Sequence, residues 1–182
     1  MKNDFKLCPM CGSKKIECIN NRKWKCPDCG FDLYNNVAAA VGIVIYDKEK
    51  NVLFEVRAKE PRKGYAALPG GFIDFDESAE EAIYRECREE LGVEIELKDI
   101  QYLFSFPNTY AYKNIEYKTC DIFFAAPLPE KYSSIKDFIL ALHPEESEVQ
   151  KLVSYKAECI DDVEKIPFAF ESSRQTLLKF VR

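Results

Sequence analysis

From Val37 onward, short apolar runs alternate with turn residues, a pattern that is typical of a sheet with a few helices. The longest run, Val37–Tyr46, predicts a buried strand, although periodicity alone does not exclude a helix there. Asp47–Asn51 predicts a turn, and residues 127–144 are interpreted as an insertion that carries a short helix. Together these segments predict a layered α/β or α+β domain. The other strands are predicted at Val52–Val56, Val93–Leu97, Tyr102–Phe106, Ile115–Ala126 and Val149–Tyr155, and the helices at Ser78–Leu91, Ser134–Leu142 and Phe170–Val181.

Residues 1–34 follow a different pattern, with two tight turns between paired cysteines, CPMCG at Cys8–Gly12 and CPDCG at Cys26–Gly30. Such turns place four thiolates at the corners of a tetrahedron, and the glycine after each pair allows a positive φ. The residues between the turns are long enough for a hairpin. We therefore predict a zinc ribbon over residues 1–34 and a second domain over 35–182. Because the thiolates fill all four positions, the zinc should be structural. Its predicted ligands are Cys8, Cys11, Cys26 and Cys29.

Charge divides the chain in the same way. Residues 1–30 carry seven Lys/Arg against three Asp/Glu, a balance of 7 − 3 = +4, although the whole chain of 182 residues has a net charge of −5. A basic head on an acidic body suggests two parts with different roles, or a metal module solvated by lysine. No apolar run of 18 residues is present, so we expect no membrane partner and a cytoplasmic location. A homodimer is left open as the oligomeric state.

The segment from Leu68 to Val93, LPGGFIDFDESAEEAIYRECREELGV, predicts a well-capped helix that carries an unusual set of acids. Ser78 and Glu81 have the spacing of a capping box, and Gly92 stands where a helix ends. At about 100° per residue, three glutamates share an arc that overlaps the apolar stripe of this helix. One explanation is a solvated helix whose acids pair with arginines at 85 and 88. The other is a hard divalent cation, because oxygen-only ligands favour Mg²⁺ or Mn²⁺ over zinc. The three glutamates are Glu86, Glu89 and Glu90.

The spacing of this segment resembles the Nudix box: Gly71, five residues, Glu77, seven residues, and RECREELGV from Arg85 to Val93. Only Cys87 departs from it, because the family usually has a larger aliphatic residue there. The resemblance implies a Nudix α/β/α sandwich with a mixed sheet, behind the small N-terminal zinc ribbon. It also implies a pyrophosphohydrolase in which metal ions bridge a diphosphate and activate water. By the same resemblance Glu86, Glu89 and Glu90 ligate the metals with the Gly71 carbonyl, Arg85 holds the glutamates, Glu77 orients Arg85 or the loop, and the base is Glu89 or a glutamate of Glu145–Glu148, with Glu146 as a further candidate ligand.

The substrate is less well specified. The chain resembles zinc-ribbon Nudix proteins, but the short motif that NADH pyrophosphatases carry after the box is missing, and Ser105–Tyr110 stands in the comparable region. Pro107 lies fourteen residues beyond Val93, close to the position of a proline in ADP-ribose pyrophosphatases. We therefore expect ADP-ribose or a related nucleotide sugar, with NAD(H), NAD-capped RNA or a non-catalytic nucleotide- or RNA-binding module as alternatives. Nucleic acid is thus a less favoured partner than a small nucleotide. The candidates for stacking on a base, with core packing as the alternative, are Phe106, Tyr110 and Tyr112.

Overall fold

The computed structural model describes residues 5–93, 99–113 and 115–182, apart from the side chain of Tyr112. The chain forms two compact units. One unit contains the chain up to Val37 together with Thr109–Lys118, and the other contains Ala38–Asn108 and Thr119–Arg182. None of the helices in the described ranges is long and apolar enough to cross a membrane.

The first unit contains a three-stranded antiparallel sheet of β1 (Glu17–Ile19), β2 (Lys23–Lys25) and β3 (Asp32–Tyr34). The turn between β1 and β2 has positive φ at both Asn20 and Asn21, as a type I′ hairpin turn requires. A small core forms around Trp24, which packs with Cys8, Ile16 and Cys26. The predicted hairpin between the two cysteine turns is confirmed.

The second unit is built on a six-stranded mixed sheet. Its strands are β4 (Ala38–Tyr46), β5 (Asn51–Arg57), β6 (Ala66–Ala67), β7 (Gln101–Tyr112), β8 (Ile115–Pro127) and β9 (Val149–Lys156). Residues 109–112 of β7 and 115–118 of β8 are counted with the first unit. The strand order is β6-β5-β4-β8-β7, and β9 pairs with β5. The pair β4–β8 is parallel, whereas β5 runs antiparallel to β4, β6 and β9.

Helices cover both faces of this sheet. Helix α1 (Ala79–Leu91) and helix α2 (Ile135–Ala141) contribute to a core with Ile43, Leu53 and Phe124. Helix α3 (Ile160–Val163) and helix α4 (Glu171–Phe180) contribute to a second core with Val44, Phe54 and Phe123. Successive strand residues alternate between the two cores, as the period of two in a strand requires. The sheet is therefore the middle layer of three.

The predicted elements of this unit that fall in the described residues are confirmed, most of them with small shifts in their bounds. The strand predicted at Tyr102–Phe106 is the first part of a longer strand, β7, that continues through Pro107. Most of the strand predicted at Val93–Leu97 lies outside the described residues. The short elements β3, β6 and α3 were not predicted. They contain two to four residues each, too few for a periodic pattern.

Candidate active site

The acidic helix α1 begins and ends at the predicted caps. The Ser78 side chain accepts a hydrogen bond from the Glu81 amide at 3.2 Å, and the Glu81 carboxylate accepts one from the Ser78 amide at 2.8 Å. Gly92 ends the helix in the left-handed conformation, with a φ of 66°. These local contacts fix the start of the helix and therefore the rotation at which its glutamates project.

A glycine loop lies directly against β4 on one side and the helix acids on the other. The amide of Gly70 donates to Glu90 Oε2 at 2.8 Å, and the carbonyl of Gly71 accepts from the amide of Val41 at 2.8 Å. Gly70 has a φ of 138°, and a Cβ there would lie 2.2 Å from the Val41 carbonyl oxygen. A Cβ on Gly71 would lie 2.4 Å from Glu86 Oε1. Gly70 therefore requires glycine, whereas a side chain at Gly71 would displace the Glu86 carboxylate. The Gly71 carbonyl has a second lone pair beside the one that accepts from Val41.

Arg85 uses its five N–H donors on four groups. Its guanidinium forms a two-pronged pair with Glu77, at 2.7 and 2.9 Å, and donates to Glu86 at 2.7 Å. It also donates to Glu89 at 3.1 Å and to the carbonyl of Phe72 at 3.0 Å. The hydrogen bonds from Arg85 lower the pKa of Glu77, and those acids raise the pKa of Arg85. Because Glu77 also accepts from the Asp74 amide, it orients both the arginine and the loop.

The three box glutamates have different environments. Glu86 and Glu90 are 9% and 8% exposed, whereas the side chain of Glu89 is half exposed. Burial raises the pKa of Glu86, and the hydrogen bond from Arg85 offsets only part of this effect. Burial raises the pKa of Glu90 further, and the neighbouring carboxyl groups of Glu55 and Glu86 add to it. The first explanation, a solvated helix whose acids pair with arginines, therefore fits Glu89 but not Glu90.

Sequence reasoning missed Glu55, which lies on strand β5 and is only 5% exposed. Burial raises the pKa of Glu55 to about 7, although a hydrogen bond with Glu90 lowers it in part. The available signal was a single glutamate inside the apolar run Val52–Val56. A buried acid in a strand is unusual unless it has a partner or a role.

In the Glu145–Glu148 segment, the glutamate that is coupled to these acids is Glu148. Its charge raises the pKa of both Glu55 and Glu86. Glu148 also forms an ion pair with Lys59 at 2.8 Å, and both side chains are about half exposed. A coupling of this kind is not observed for Glu146 within the described part of the chain.

The structure places the aromatic candidates in different surroundings. Phe106 packs against the core beneath helix α4, and the amine of Lys179 lies 4.7 Å from the centre of its ring. That core is on the other face of the sheet from the core that contains helix α1. These contacts favour the packing alternative for Phe106. Tyr110 is half-buried in the first unit, and the side chain of Tyr112 lies outside the described residues.

The four cysteines of the two tight turns come together. The Sγ atoms of Cys8 and Cys29 are 3.7 Å apart, as are those of Cys11 and Cys26, and all four lie within 4.8 Å of one another. Burial raises the pKa of Cys8, but backbone hydrogen bonds from Cys11 and Met10 lower it, and the net pKa is about 7. A compact set of four thiols from two CxxC turns suits a structural zinc ion.

Comparison with known proteins extends these observations. A family model for the NUDIX domain matches residues 37–169. The chain belongs to the Nudix family. Its mixed sheet between two helical layers is the Nudix sandwich, and the crystal structure of a NUDIX hydrolase from Nitrosomonas europaea has the same fold. That structure superposes with a TM-score of 0.65 over 97% of this chain and 90% of the other, at 21% identity.

Two curated relatives are similar to part of this chain. An ADP-ribose pyrophosphatase from Methanocaldococcus jannaschii is 38% identical over 96 residues, which cover 53% of each protein. The NAD-capped RNA hydrolase NudC from Pseudomonas aeruginosa is 33% identical over 92 residues, which cover 50% of this chain and 32% of that enzyme. The chain thus spans about half the length of the first relative and about a third of the second.

Proposed function

We propose that this Nudix protein hydrolyses a phosphoanhydride bond in a nucleoside-diphosphate-linked compound, with Mg²⁺ or Mn²⁺ as its catalytic ion. The observation that carries the proposal is the pair of buried carboxyl groups at Glu86 and Glu90, beside the Gly71 carbonyl. Buried carboxylates are costly without a counter-charge. Of this pair, Glu86 has the Arg85 guanidinium beside it, whereas Glu90 does not. The donor set contains oxygen only, which fits a hard divalent ion.

Each residue then has a distinct task. Glu86, Glu89 and Glu90 would hold the ion together with the remaining lone pair of the Gly71 carbonyl, and Glu146 stays a further candidate. When bound, such an ion neutralises diphosphate charge and acidifies water. Arg85 keeps Glu86 and Glu89 in position by its hydrogen bonds.

For the general base we propose Glu148 or Glu89, since both are partly open to solvent. A base must reach the attacking water, and it accepts that water's proton as the oxygen bonds to phosphorus. The ion pair with Lys59 would orient the Glu148 carboxylate for this task. Comparing Glu148→Gln with Glu80→Gln, a change at an exposed residue outside the proposed site, tests this choice. We expect a loss of kcat of at least about 100-fold only in the first.

The proposed substrate is ADP-ribose, cleaved to AMP and ribose 5-phosphate. Similarity to an ADP-ribose pyrophosphatase supports it, as do Pro107 and the absence of the NADH-type motif. The second candidate is an NAD-linked substrate, either free NAD(H) or an NAD-capped RNA. Similarity to NudC and the basic ribbon favour this candidate.

A screen of nucleoside-diphosphate compounds with Mg²⁺ tests both the activity and the substrate. Products are identified by chromatography, with ADP-ribose, NADH and NAD-capped RNA compared at equal concentration.

We expect Glu89→Gln and Glu90→Gln to fold normally and to lose at least about 100-fold in kcat. Glu80→Gln, an exposed residue of the same helix, is the matched control. Near-normal turnover by the Glu90 variant at saturating Mg²⁺ would contradict the metal assignment, and a tenfold preference for NADH would reverse the choice of substrate.

A further inference from the structure

The site contains a carboxylate that the Nudix box does not supply. Glu55 lies on β5, where it pairs with Ala67 on one neighbouring strand and Leu152 on the other. In the alternation of strand residues, Leu53 points to the core that contains helix α1. Glu55, two residues further along, therefore projects toward the same helix, and its carboxyl group comes within hydrogen-bonding reach of Glu90.

Glu55 forms no ion pair in the described part of the chain, and the charge of Arg57 lowers its pKa only in part. Its Oε1 atom is buried without a hydrogen-bond partner. Arg85 uses all five of its donors elsewhere. Arg57, the nearest arginine in sequence, donates to the Pro61 carbonyl, and its guanidinium stacks on Phe170 at 5.1 Å. Two carboxyl groups that face each other in a buried place either share a proton or bind a cation.

We propose that Glu55 is an additional carboxylate of the divalent-cation site, engaged by the same ion as Glu90. The proposal rests on the metal-dependent function argued above and extends it to a residue outside the Nudix box. Glu90 is anchored on its other side by the Gly70 amide, so an ion near Glu90 has Glu55 as its buried neighbour from the sheet. The Oε1 atom of Glu55, which has no hydrogen-bond partner, is the ligand atom that such an ion would use.

The test is direct Mn²⁺ binding to the intact, zinc-loaded chain, measured from the electron paramagnetic resonance signal of free Mn²⁺. Glu55→Gln keeps the size of the side chain and removes its charge. We expect its Mn²⁺ affinity to fall roughly 10- to 100-fold, as is usual when a group that supports a metal site is lost. The thermal stabilisation by Mn²⁺ should fall with it. Glu80→Gln removes the same charge from an exposed position and should bind as the unaltered chain does.

The outcomes separate this proposal from the one on which it rests. If the unaltered chain binds no Mn²⁺ beyond its zinc, the metal-dependent function fails. If Glu90→Gln loses Mn²⁺ while Glu55→Gln binds normally, the function stands and Glu55 is a structural acid. Glu55→Asp covers the case in which the glutamine variant does not fold, because it keeps the charge but withdraws the carboxylate. Unchanged Mn²⁺ affinity in a folded Glu55→Asp protein would then overturn the proposal.

Discussion

Replacing Arg85 by alanine should destabilise the Nudix domain by about 1–3 kcal/mol. The change leaves Glu77 and Glu86 without their partner, and the side chains of these acids are only 17% and 12% exposed. Removing one member of a fully buried ion pair costs about 3–5 kcal/mol, whereas a surface pair contributes about 0–1 kcal/mol, and this partly exposed site lies between the two. Arg85→Lys keeps the charge but not the two-pronged geometry, so it should lose about half as much.

Arg88→Ala is the matched control, because this arginine lies exposed on the same helix and three residues away. Its removal should cost less than about 1 kcal/mol, chiefly through the charge near the helix end. Stability is measured by urea unfolding without added divalent cation. Circular dichroism follows the whole chain. The fluorescence of Trp24, the only tryptophan, reports on the first unit. The Arg85 variants should shift the first signal and leave the second in place.

A double-mutant cycle with Glu77→Gln measures the pair itself. Residues in direct contact usually show a coupling of about 0.5–3 kcal/mol, and a pair with two hydrogen bonds should lie in the upper part of that range. A coupling near zero, or equal urea midpoints for Arg85→Ala and Arg88→Ala, would refute the idea that this guanidinium holds the acids.

Other measurements test the remaining parts. Burial raises the folded-state pKa of Glu55 from 4.5 to about 7 and also raises that of Glu90. The metal-free domain should therefore lose stability as the pH rises across this window. In Glu55→Gln, the urea midpoint should depend less on pH. Cys26→Ser should abolish zinc binding in elemental analysis and alter Trp24 fluorescence, while the Nudix unfolding transition persists. If Tyr110 stacks on the base, Tyr110→Ala should raise KM for ADP-ribose by an amount that corresponds to about 1–3 kcal/mol. An unchanged KM would make this ring a packing residue.

Local signals account for what could be predicted from the sequence. The start of helix α1 depends on contacts three residues apart, Ser78 with Glu81, so a capping pattern locates it. The box acids could be found because many fixed positions fall in one short segment. The cysteine turns are local in the same sense, and each thiol pair needs only two intervening residues.

Contacts between distant segments could not be predicted in this way. Glu55 and Glu90 interact although they lie 35 positions apart in the sequence. The alternation along strand β5 predicts on which face of the sheet Glu55 lies, but not which residue packs against it there. The pattern around Glu148 is an acidic turn, and only the folded chain shows that this member couples to the buried acids. Strand β7 continues through Pro107 because it lies at the end of the strand order, where a missing amide donor is tolerated.

The parallel pairing of β4 with β8 has a consequence for how the chain acquires its structure. Every pair in this ladder joins positions 81 apart, from Ala38 with Thr119 to Tyr46 with Pro127 (119 − 38 = 81). Contacts of such long range slow folding, because the intervening loop must be closed before they form. During synthesis, helix α1 therefore leaves the ribosome well before β8, the parallel partner of β4. The nascent domain has to keep its apolar β4 from aggregating until residue 127 has emerged, so this protein should depend on chaperones more than a bundle of equal size.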